Sequence, residues 1–138
     1  MKTLITFIAL SMGIISCTNG QDQKVQTTTT TSVLEKLDGQ SFYQDITTKE
    51  DIQLVDVRTP GEFNQGHIAG ALNYTINGKE FDEQIATLDP NKPVYVYCAV
   101  GGRSSRAASY LQSKGFTAIY DLKGGMGAWG QLSLPIEK

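Results

Sequence analysis

The sequence predicts an α/β domain built on a mainly parallel sheet. Short runs of β-branched and aromatic residues at 53–57 and 93–97 are bounded by turn-forming residues, which is typical of buried strands. Stretches with helical periodicity lie between the strand runs, and strands that alternate with helices favour a parallel sheet. With 40% hydrophobic and 19% charged residues among 138, the composition suits a globular core and argues against a largely disordered chain.

The first 16 residues have the features of an export signal. Lys2 gives the start a positive charge, and the apolar run at 4–15 is shorter than the roughly 20 residues that a membrane-spanning helix needs. The sequence IISC at 14–17 resembles the bacterial lipobox, which implies cleavage before Cys17 and acylation of that residue. An ordinary secretory signal or an uncleaved anchor is the alternative. We therefore expect a protein of the cell envelope, lipid-anchored and facing the periplasm or the outer surface, with the bilayer as a partner.

Residues 17–32 predict a lipidated cysteine followed by a flexible tether. The segment after Cys17 has one aliphatic residue, Val25, and a run of five threonines at 27–31. No core can form from such a composition, so we expect an unstructured linker. The hydrophobic pattern changes at about residue 33, and residues 33–138 suffice for one domain.

Four strands and three helices are expected within this domain. The strands are placed at 53–57, 71–74, 93–97 and 118–122, of which 71–74 has the weakest pattern. The helices are placed at 60–66, 78–88 and 103–115. Pro60 suits a first helical position, and Phe81, Ile85 and Leu88 lie at helical spacing on one apolar face. Gly115 is a suitable residue to end the third helix.

The loop after the strand at 93–97 carries the candidate chemistry. Cys98 ends this strand, at the sheet edge where parallel α/β domains bind ligands. Small or compact residues follow and allow successive backbone N–H groups to form an anion-binding nest; they are Ala99, Val100, Gly101 and Gly102. The helix that begins near Arg103 adds its N-terminal N–H groups and its dipole, and Arg103 and Arg106 add positive charge.

These features predict a reactive thiolate at Cys98. The pKa of a cysteine thiol falls near cations and helix N-termini, and the thiolate is the nucleophilic form. The alternative is a buried packing residue, since cysteine is among the most buried residue types. The chain has three arginines, and two of them, Arg103 and Arg106, lie within eight residues of Cys98, which favours the functional interpretation.

The residue inventory limits the cofactors and partners that we expect. Cys17 and Cys98 are the two cysteines, so lipidation of Cys17 leaves Cys98 as a lone thiol without a disulfide partner. Because His67 is the single histidine, we expect neither a metal site nor a cofactor. The net charge of -2 gives no basic surplus for binding nucleic acid.

Three segments resemble the signatures of single-domain rhodaneses, and they follow one another in the same order as in that family. The upstream segment VDVRTPGEFNQGHIAGALN at 55–73 resembles D-V-R-x-x-x-E-F/Y-x-x-G-H-I-x-G-A. The segment CAVGGRS at 98–104 resembles the active-site loop C-x-x-G-x-R-S, and LKGGMGAW at 122–129 resembles the closing L-x-G-G-x-x-x-W. The resemblance covers about residues 35–131. It implies the rhodanese-like fold, in which helices flank both faces of a mainly parallel sheet.

Rhodaneses are sulfurtransferases, and the resemblance implies a two-step mechanism at Cys98. The thiolate takes the outer sulfur of a small anionic donor such as thiosulfate, or of a persulfide, and becomes a persulfide itself. A thiol or cyanide then accepts the sulfur. The loop N–H groups from Ala99 to Arg103 would stabilise the anionic sulfur, and Arg103 would hold the anionic end of the donor.

Asp56, Arg58 and Arg106 are supporting candidates for this site. Asp56 and Arg58 follow a strand, where they could line the pocket, and Asp56 is the better placed of the two to touch the catalytic loop. In the family these positions mostly hold the loops together. Arg58 and Glu62 are expected to form an ion pair at the start of the next helix. Arg106 is either a site residue or a structural residue of its helix.

Further signals are assigned structural roles. The resemblance makes His67 part of a structural turn instead of a catalytic partner of Cys98. Trp129 is expected to pack in the core instead of binding substrate. Gly124 and Gly125 are expected to form a tight turn near the mouth of the active site.

Three other functions are weighed against sulfur transfer. Non-catalytic binding modules of the same fold usually lack the cysteine, so the intact loop CAVGGRS counts against that function. A thiol redox protein would need a second cysteine, which a partner would have to supply. Cysteine phosphatases have a C-x5-R loop, whereas four residues separate Cys98 from Arg103, and this shorter loop argues against phosphatase activity.

Overall fold

The computed structural model of the chain describes residues 31–138. Its strands are β1 (Val33–Leu37), β2 (Gln53–Asp56), β3 (Leu72–Asn73), β4 (Val94–Tyr97) and β5 (Ala118–Leu122). They form one five-stranded sheet in the order β1-β5-β4-β2-β3. Each pair of neighbouring strands in this sheet is parallel, which confirms the expected parallel sheet.

Helices cover both faces of this sheet. They are α1 (Gly39–Thr48), α2 (Pro60–Gln65), α3 (Phe81–Ile85), α4 (Gly102–Ser113) and α5 (Gly125–Gln131). The buried side chains divide into two clusters. One holds side chains from α3 and α4, such as Phe81 and Leu111, and the other holds side chains from α1 and α5, such as Phe42 and Trp129. The predicted α/β fold with helices on both faces is confirmed.

The central strand β4 explains both clusters. All four of its residues are buried, and successive side chains of a strand point to opposite faces. Val94 and Val96 therefore join the α3 and α4 cluster, together with Cys98, while Tyr95 and Tyr97 join the α1 and α5 cluster. Cys98 thus lies where the sheet ends and one core layer meets the carboxyl edge.

The sequence patterns place most of the elements correctly. The strands expected at 53–57, 93–97 and 118–122 are present within one residue of those bounds, and 71–74 contains the two-residue strand β3. The helices expected at 60–66 and 103–115 correspond to α2 and α4. Gly115 has a positive φ of 92° just after α4, as expected for a residue that ends a helix.

The helix expected at 78–88 is shorter than its apolar pattern predicts. Gly78 forms a turn, in which its amide donates to the Thr75 carbonyl at 2.8 Å, and the helix begins only at Phe81. After Ile85 the chain continues in turns. Phe81, Ile85 and Leu88 are nevertheless all buried, so the predicted apolar face is correct although the helix bounds are wrong.

Two helices and one strand were not expected from the sequence. Strand β1 is mostly exposed and pairs with β5 at the sheet edge. Helix α5 has three glycines in seven residues, a composition with low helix propensity. Helix α1 contains β-branched residues near its end, and it is anchored by Phe42, which is fully buried. These elements depend on tertiary packing, which local patterns do not reveal.

The predicted signal segment 1–16, the lipidation site Cys17 and nearly all of the tether 17–32 lie outside the described residues. Among the helices of residues 31–138, none combines the length and the hydropathy that a bilayer crossing requires.

Candidate active site

The thiol of Cys98 is both buried and held in a cradle of hydrogen-bond donors. The residue directly follows β4 and is only 1% exposed. Its Sγ accepts a hydrogen bond from the Gly101 amide at 3.1 Å. Cys98 therefore fits both interpretations of the sequence. It packs in the core as a buried residue, and the loop amides hold its thiol in place as expected for a reactive cysteine.

The neighbouring helix α5 holds the loop in this shape. The Met126 amide donates to the Cys98 carbonyl at 2.8 Å, and the Gly127 amide donates to the Ala99 carbonyl at 3.0 Å. A Cβ added at Gly125 would lie 2.3 Å from the Cys98 carbonyl oxygen, so only glycine permits this approach. Because α5 engages the loop carbonyls, the amides of the following residues are left to face Sγ.

Gly101 makes the turn from the loop into α4. It is the N-cap of this helix and has a φ of 100°, a conformation that residues with a side chain rarely adopt. This geometry turns the first amides of α4 towards Cys98. Val100, at the crest of the loop, is 77% exposed. The predicted nest of small residues is therefore present, with an apolar side chain on its outer surface.

The pKa of Cys98 is lowered by hydrogen bonds. Burial raises the pKa of the thiol, but the Ser104 hydroxyl and the amides of Ser104, Gly101 and Val100 together outweigh burial, so the pKa falls below its ordinary value of 9.0. Donors at fixed positions favour the thiolate over the thiol. Ser104 is a residue that the sequence reasoning did not single out, although it ends the quoted segment CAVGGRS.

Arg103 lies at the rim in a paired state. Its two terminal nitrogens donate to the two carboxylate oxygens of Glu62 at 2.8 and 2.6 Å. The pKa of Arg103 is raised mainly by this hydrogen-bonded pair and also by the charges of Glu62, Cys98 and Asp56. The charge of the Cys98 thiolate thus contributes to the raised pKa of Arg103. The direct contact of the guanidinium, however, is with Glu62, which belongs to α2.

Glu62 makes two sets of contacts, and neither is with the Arg58 side chain. The prediction of an ion pair between Arg58 and Glu62 is therefore wrong. Besides pairing with Arg103, Glu62 accepts from the Thr59 amide and closes the capping box of α2. The hydrogen bonds from Arg103 lower the pKa of Glu62 to about 2. The sequence shows Glu62 beside Arg58, but only the fold brings it to Arg103, which is 41 positions away.

Arg58 pairs instead with Asp56, and both are buried. Nε and the terminal nitrogen of Arg58 donate to the Asp56 carboxylate at 3.0 and 2.6 Å, and the same terminal nitrogen donates to the Gly66 carbonyl at 2.7 Å. The backbone carbonyl of Arg58 accepts from Asn73. Asp56 lies in register with Tyr97, next to the Cys98 loop, but its carboxylate is engaged by Arg58. This pair joins loops, as the family pattern implied.

Comparison with known proteins decides the family. The model of the rhodanese-like domain matches residues 39–132, which is more than half of the chain. The chain belongs to the rhodanese-like domain family.

Relatives and solved structures agree with this assignment. A sulfurtransferase of Allochromatium vinosum is 34% identical over 104 residues, covering 75% of this chain and 95% of that protein. Thiosulfate sulfurtransferase GlpE of Shewanella oneidensis is 39% identical over 84 residues, covering 61% and 81%. The crystal structure of a rhodanese-related protein from Thermoplasma volcanium has a TM-score of 0.66 and 30% identity, covering 75% of this chain and 97% of that one.

Arg106 lies outside the immediate surroundings of Cys98 in this rhodanese-like domain. It is exposed on α4, one turn beyond Arg103, and donates to the Asn77 side chain at 3.5 Å. It lines a cavity of about 290 Å³ together with Lys79 and Tyr110. Arg106 is therefore not part of the cradle, and it faces a different recess.

His67 and Trp129 have structural contacts. The ring of His67 stacks on Phe63 with centroids 3.7 Å apart, and its backbone exchanges hydrogen bonds with Glu137. Trp129 is fully buried, packs edge-on against Phe42 and donates to the Pro135 carbonyl at 3.0 Å. Both side chains have the packing roles that the sequence interpretation gave them.

Gly124 and Gly125 turn the chain from β5 into α5, with φ values of 76° and 55°. The expected tight turn is present, and the approach of Gly125 to the Cys98 carbonyl puts it against the Cys98 loop.

A buried carboxylate under the loop was missed by the sequence reasoning. Asp121 is 1% exposed, and its Oδ2 lies 2.7 Å from the Ser105 hydroxyl, which is also 2.7 Å from the Gly101 carbonyl. Its Oδ1 has no hydrogen-bond partner within residues 31–138. Asp121 therefore reaches the N-cap of α4 through one serine. A charged residue in a buried strand is the sequence signal that could have identified it.

Proposed function

We propose that this protein is a sulfurtransferase that carries a sulfane sulfur on Cys98. The observation that carries the proposal is the thiol of lowered pKa, surrounded by loop amides and the Ser104 hydroxyl. A persulfide on Cys98 would place its outer, anionic sulfur near the same donors. The relatives that are named sulfurtransferases support the same reaction class.

The proposed reaction has two balanced displacement steps. In the first, the Cys98 thiolate attacks the sulfane sulfur of thiosulfate. The sulfur–sulfur bond breaks, and sulfite leaves with the bonding electron pair, so Cys98 becomes a persulfide anion. In the second, an acceptor such as cyanide attacks the outer sulfur, thiocyanate leaves, and the thiolate is restored. A persulfide donor enters the first step in the same way, with its thiolate as the leaving group.

The buried position of Cys98 limits how a donor approaches. Since the residue is 1% exposed, the donor must present a narrow terminal sulfur to the loop opening. Thiosulfate and persulfides both end in such a sulfur. A phosphate ester would require a wider loop, and the four residues between Cys98 and Arg103 make a tight one.

We further propose that the domain is displayed on the cell envelope by a lipidated Cys17. The support is the sequence alone, namely the apolar run at 4–15 and the lipobox-like residues at 14–17. Metabolic labelling with a fatty-acid analogue should mark the protein but not its Cys17→Ala variant. Equal labelling of both would contradict lipidation at Cys17.

Turnover tests the proposed sulfur transfer. A Cys17→Ser variant keeps Cys98 as the single thiol, and thiocyanate formation is measured with cyanide and either thiosulfate or an organic persulfide as donor. We expect turnover that Cys98→Ser abolishes. Equal rates in both variants would exclude Cys98 as the nucleophile. An accessible thiol without turnover for any donor would favour the binding-module function.

A further inference from the structure

The positive charges near Cys98 are neutralised in pairs. Arg58 is buried against Asp56, and Arg103 is held by both oxygens of Glu62. The Arg103 and Glu62 side chains are 25% and 34% exposed, so solvent screens this pair only in part. An arriving dianion therefore meets a guanidinium whose charge is already balanced, beside a loop whose exposed side chain is the apolar Val100.

An arginine that forms no salt bridge among residues 31–138, Arg106, lies one helical turn beyond Arg103 on α4. Arg106 follows Arg103 by three residues, which is about 4.5 Å along the helix axis. It lines the cavity of about 290 Å³ with Lys79, and neither side chain forms a salt bridge among residues 31–138. Arg106 has only a long hydrogen bond to Asn77, at 3.5 Å. These two cations are available to an incoming anion.

The walls of this cavity suit an organic group. Ile76, Phe81 and Tyr110 contribute apolar surface to it. The one carboxylate in its lining, Asp82, accepts a hydrogen bond from Tyr110 and lies 3.5 Å from Lys114, so its charge is offset. The recess therefore combines an apolar wall with two cations that form no salt bridge among residues 31–138.

We propose that the Lys79–Arg106 recess is a subsite for the carboxylates of an organic persulfide donor, and that Glu62 lowers the affinity for inorganic dianions by neutralising Arg103. This inference rests on the proposed sulfurtransferase function. Thiosulfate has its charge directly beside the transferred sulfur, where the protein offers a balanced pair. A persulfide such as that of glutathione also ends in an anionic sulfur, but an uncharged carbon chain stands in place of the sulfonate. Its carboxylates lie several bonds away, where they can reach the recess cations about one helical turn beyond Arg103.

The test compares three donors on the full chain with the Cys17→Ser substitution. Glutathione persulfide has distant carboxylates, the persulfide of 2-mercaptoethanol has none, and thiosulfate is the inorganic dianion. The rate of Cys98 persulfide formation is measured by intact-protein mass spectrometry at a series of donor concentrations. This series separates the half-saturating concentration from the maximal rate.

Arg106→Gln and Lys79→Gln remove the recess cations, and Glu62→Gln frees Arg103 while a glutamine still suits the capping box. Lys92→Gln is the control, because Lys92 pairs with Asp51 before the start of β4.

We expect Arg106→Gln and Lys79→Gln each to raise the half-saturating concentration of glutathione persulfide about fivefold, as expected for one exposed charge pair, and to leave the 2-mercaptoethanol donor unchanged. Glu62→Gln should lower the half-saturating concentration of thiosulfate by a similar factor. Lys92→Gln should leave the half-saturating concentrations of all three donors unchanged.

Equal effects of the recess substitutions on both organic donors, or no effect on either, would overturn the recess proposal. A Glu62→Gln variant with unchanged thiosulfate kinetics would overturn the role of Glu62. Absence of Cys98 persulfide with all three donors would instead reject the proposed function and the inference with it.

Discussion

The Cys98 sulfur lies among the amides of Val100, Gly101 and Ser104 and the Ser104 hydroxyl, whereas the Arg103 guanidinium is engaged by Glu62. At the scale of single residues, fixed dipoles are therefore the main stabilisers of the thiolate. Such donors are already oriented before a substrate arrives, and they can serve the outer sulfur of a persulfide equally well. Ser104 is the one side chain among them.

The Ser104→Ala variant should have a Cys98 thiol with a higher pKa than the parent protein. The substitution removes the hydroxyl, which donates to the Gly101 carbonyl at 3.2 Å and lowers the pKa of the thiol, while the backbone amides remain. The pH dependence of alkylation by iodoacetamide gives the titration midpoint, which should shift upwards. Ser109→Ala is the control, since Ser109 is an exposed serine of the same helix that donates to the Ser105 carbonyl. Identical midpoints in the parent and Ser104→Ala would show that the hydroxyl has no such role.

Asp56→Ala tests whether the buried pair is structural. Removing one partner leaves Arg58 buried without a counterion, which should cost about 3–5 kcal/mol of unfolding free energy. The midpoint of Cys98 alkylation should stay unchanged at temperatures where the variant is folded. Urea denaturation measures the loss, with Glu83→Ala as an exposed control. A shifted alkylation midpoint with unchanged stability would instead give Asp56 a direct role at the thiol.

At the scale of secondary-structure elements, α5 holds the Cys98 loop in place although its own sequence is a poor helix former. Its first amides bind the carbonyls of Cys98 and Ala99, and its glycines permit this contact. The shape of the Cys98 cradle therefore depends on a helix that follows the cysteine by 27 positions at its start. Local sequence patterns at the loop do not reveal this dependence.

A Gly125→Ala substitution should destabilise the domain by about 2–3 kcal/mol, because φ is positive and the new Cβ would lie 2.3 Å from the Cys98 carbonyl oxygen. The loop must shift to accommodate it, so persulfide formation should slow as well. Gly130→Ala is a matched control in the same helix, where an added Cβ meets nothing within 4 Å. Chemical denaturation measures both variants. Equal stability of Gly125→Ala and Gly130→Ala would disprove the close contact between α5 and the loop.

At the scale of the whole molecule, the sheet edge that carries Cys98 is assembled from segments far apart in the chain. Helix α2 provides Glu62 to Arg103 of α4, and Asp56 and Arg58 fasten the chain between β2 and α2. The parallel sheet brings these segments together because the carboxyl ends of its strands share one edge.

Acid should weaken the connection between α2 and α4. The pKa of Glu62 is about 2 in the folded protein, below its ordinary value of 4.5. A lowered pKa means that the stabilisation is complete above the ordinary value and is lost as the pH falls from about 4.5 towards 2. The difference in unfolding free energy between the parent and Glu62→Gln should therefore shrink over this range. A difference that is constant from pH 6 to pH 2 would contradict the ion pair.

The sequence was sufficient for the parts of the molecule that have local signals. The buried strands β2, β4 and β5 have apolar runs, and the loop from Cys98 to Arg103 has a recognisable composition. The partners of charged residues were not predictable, because Glu62 can reach either Arg58 or Arg103 and only the fold decides. Helix α1 and helix α5 were missed for the same reason, since burial of Phe42 and Trp129 stabilises them against weak propensity.

Peptide mapping by mass spectrometry tests the central claim most directly. The Cys17→Ser chain is incubated with thiosulfate or glutathione persulfide. The mass of the peptide that contains Cys98 is then measured before and after cyanide treatment. Sulfur transfer predicts a gain of one sulfur atom, about 32 Da, on this peptide, and its removal by cyanide. A Cys98 peptide that stays unmodified with both donors, while its thiol is reduced and reacts with iodoacetamide, would contradict the account.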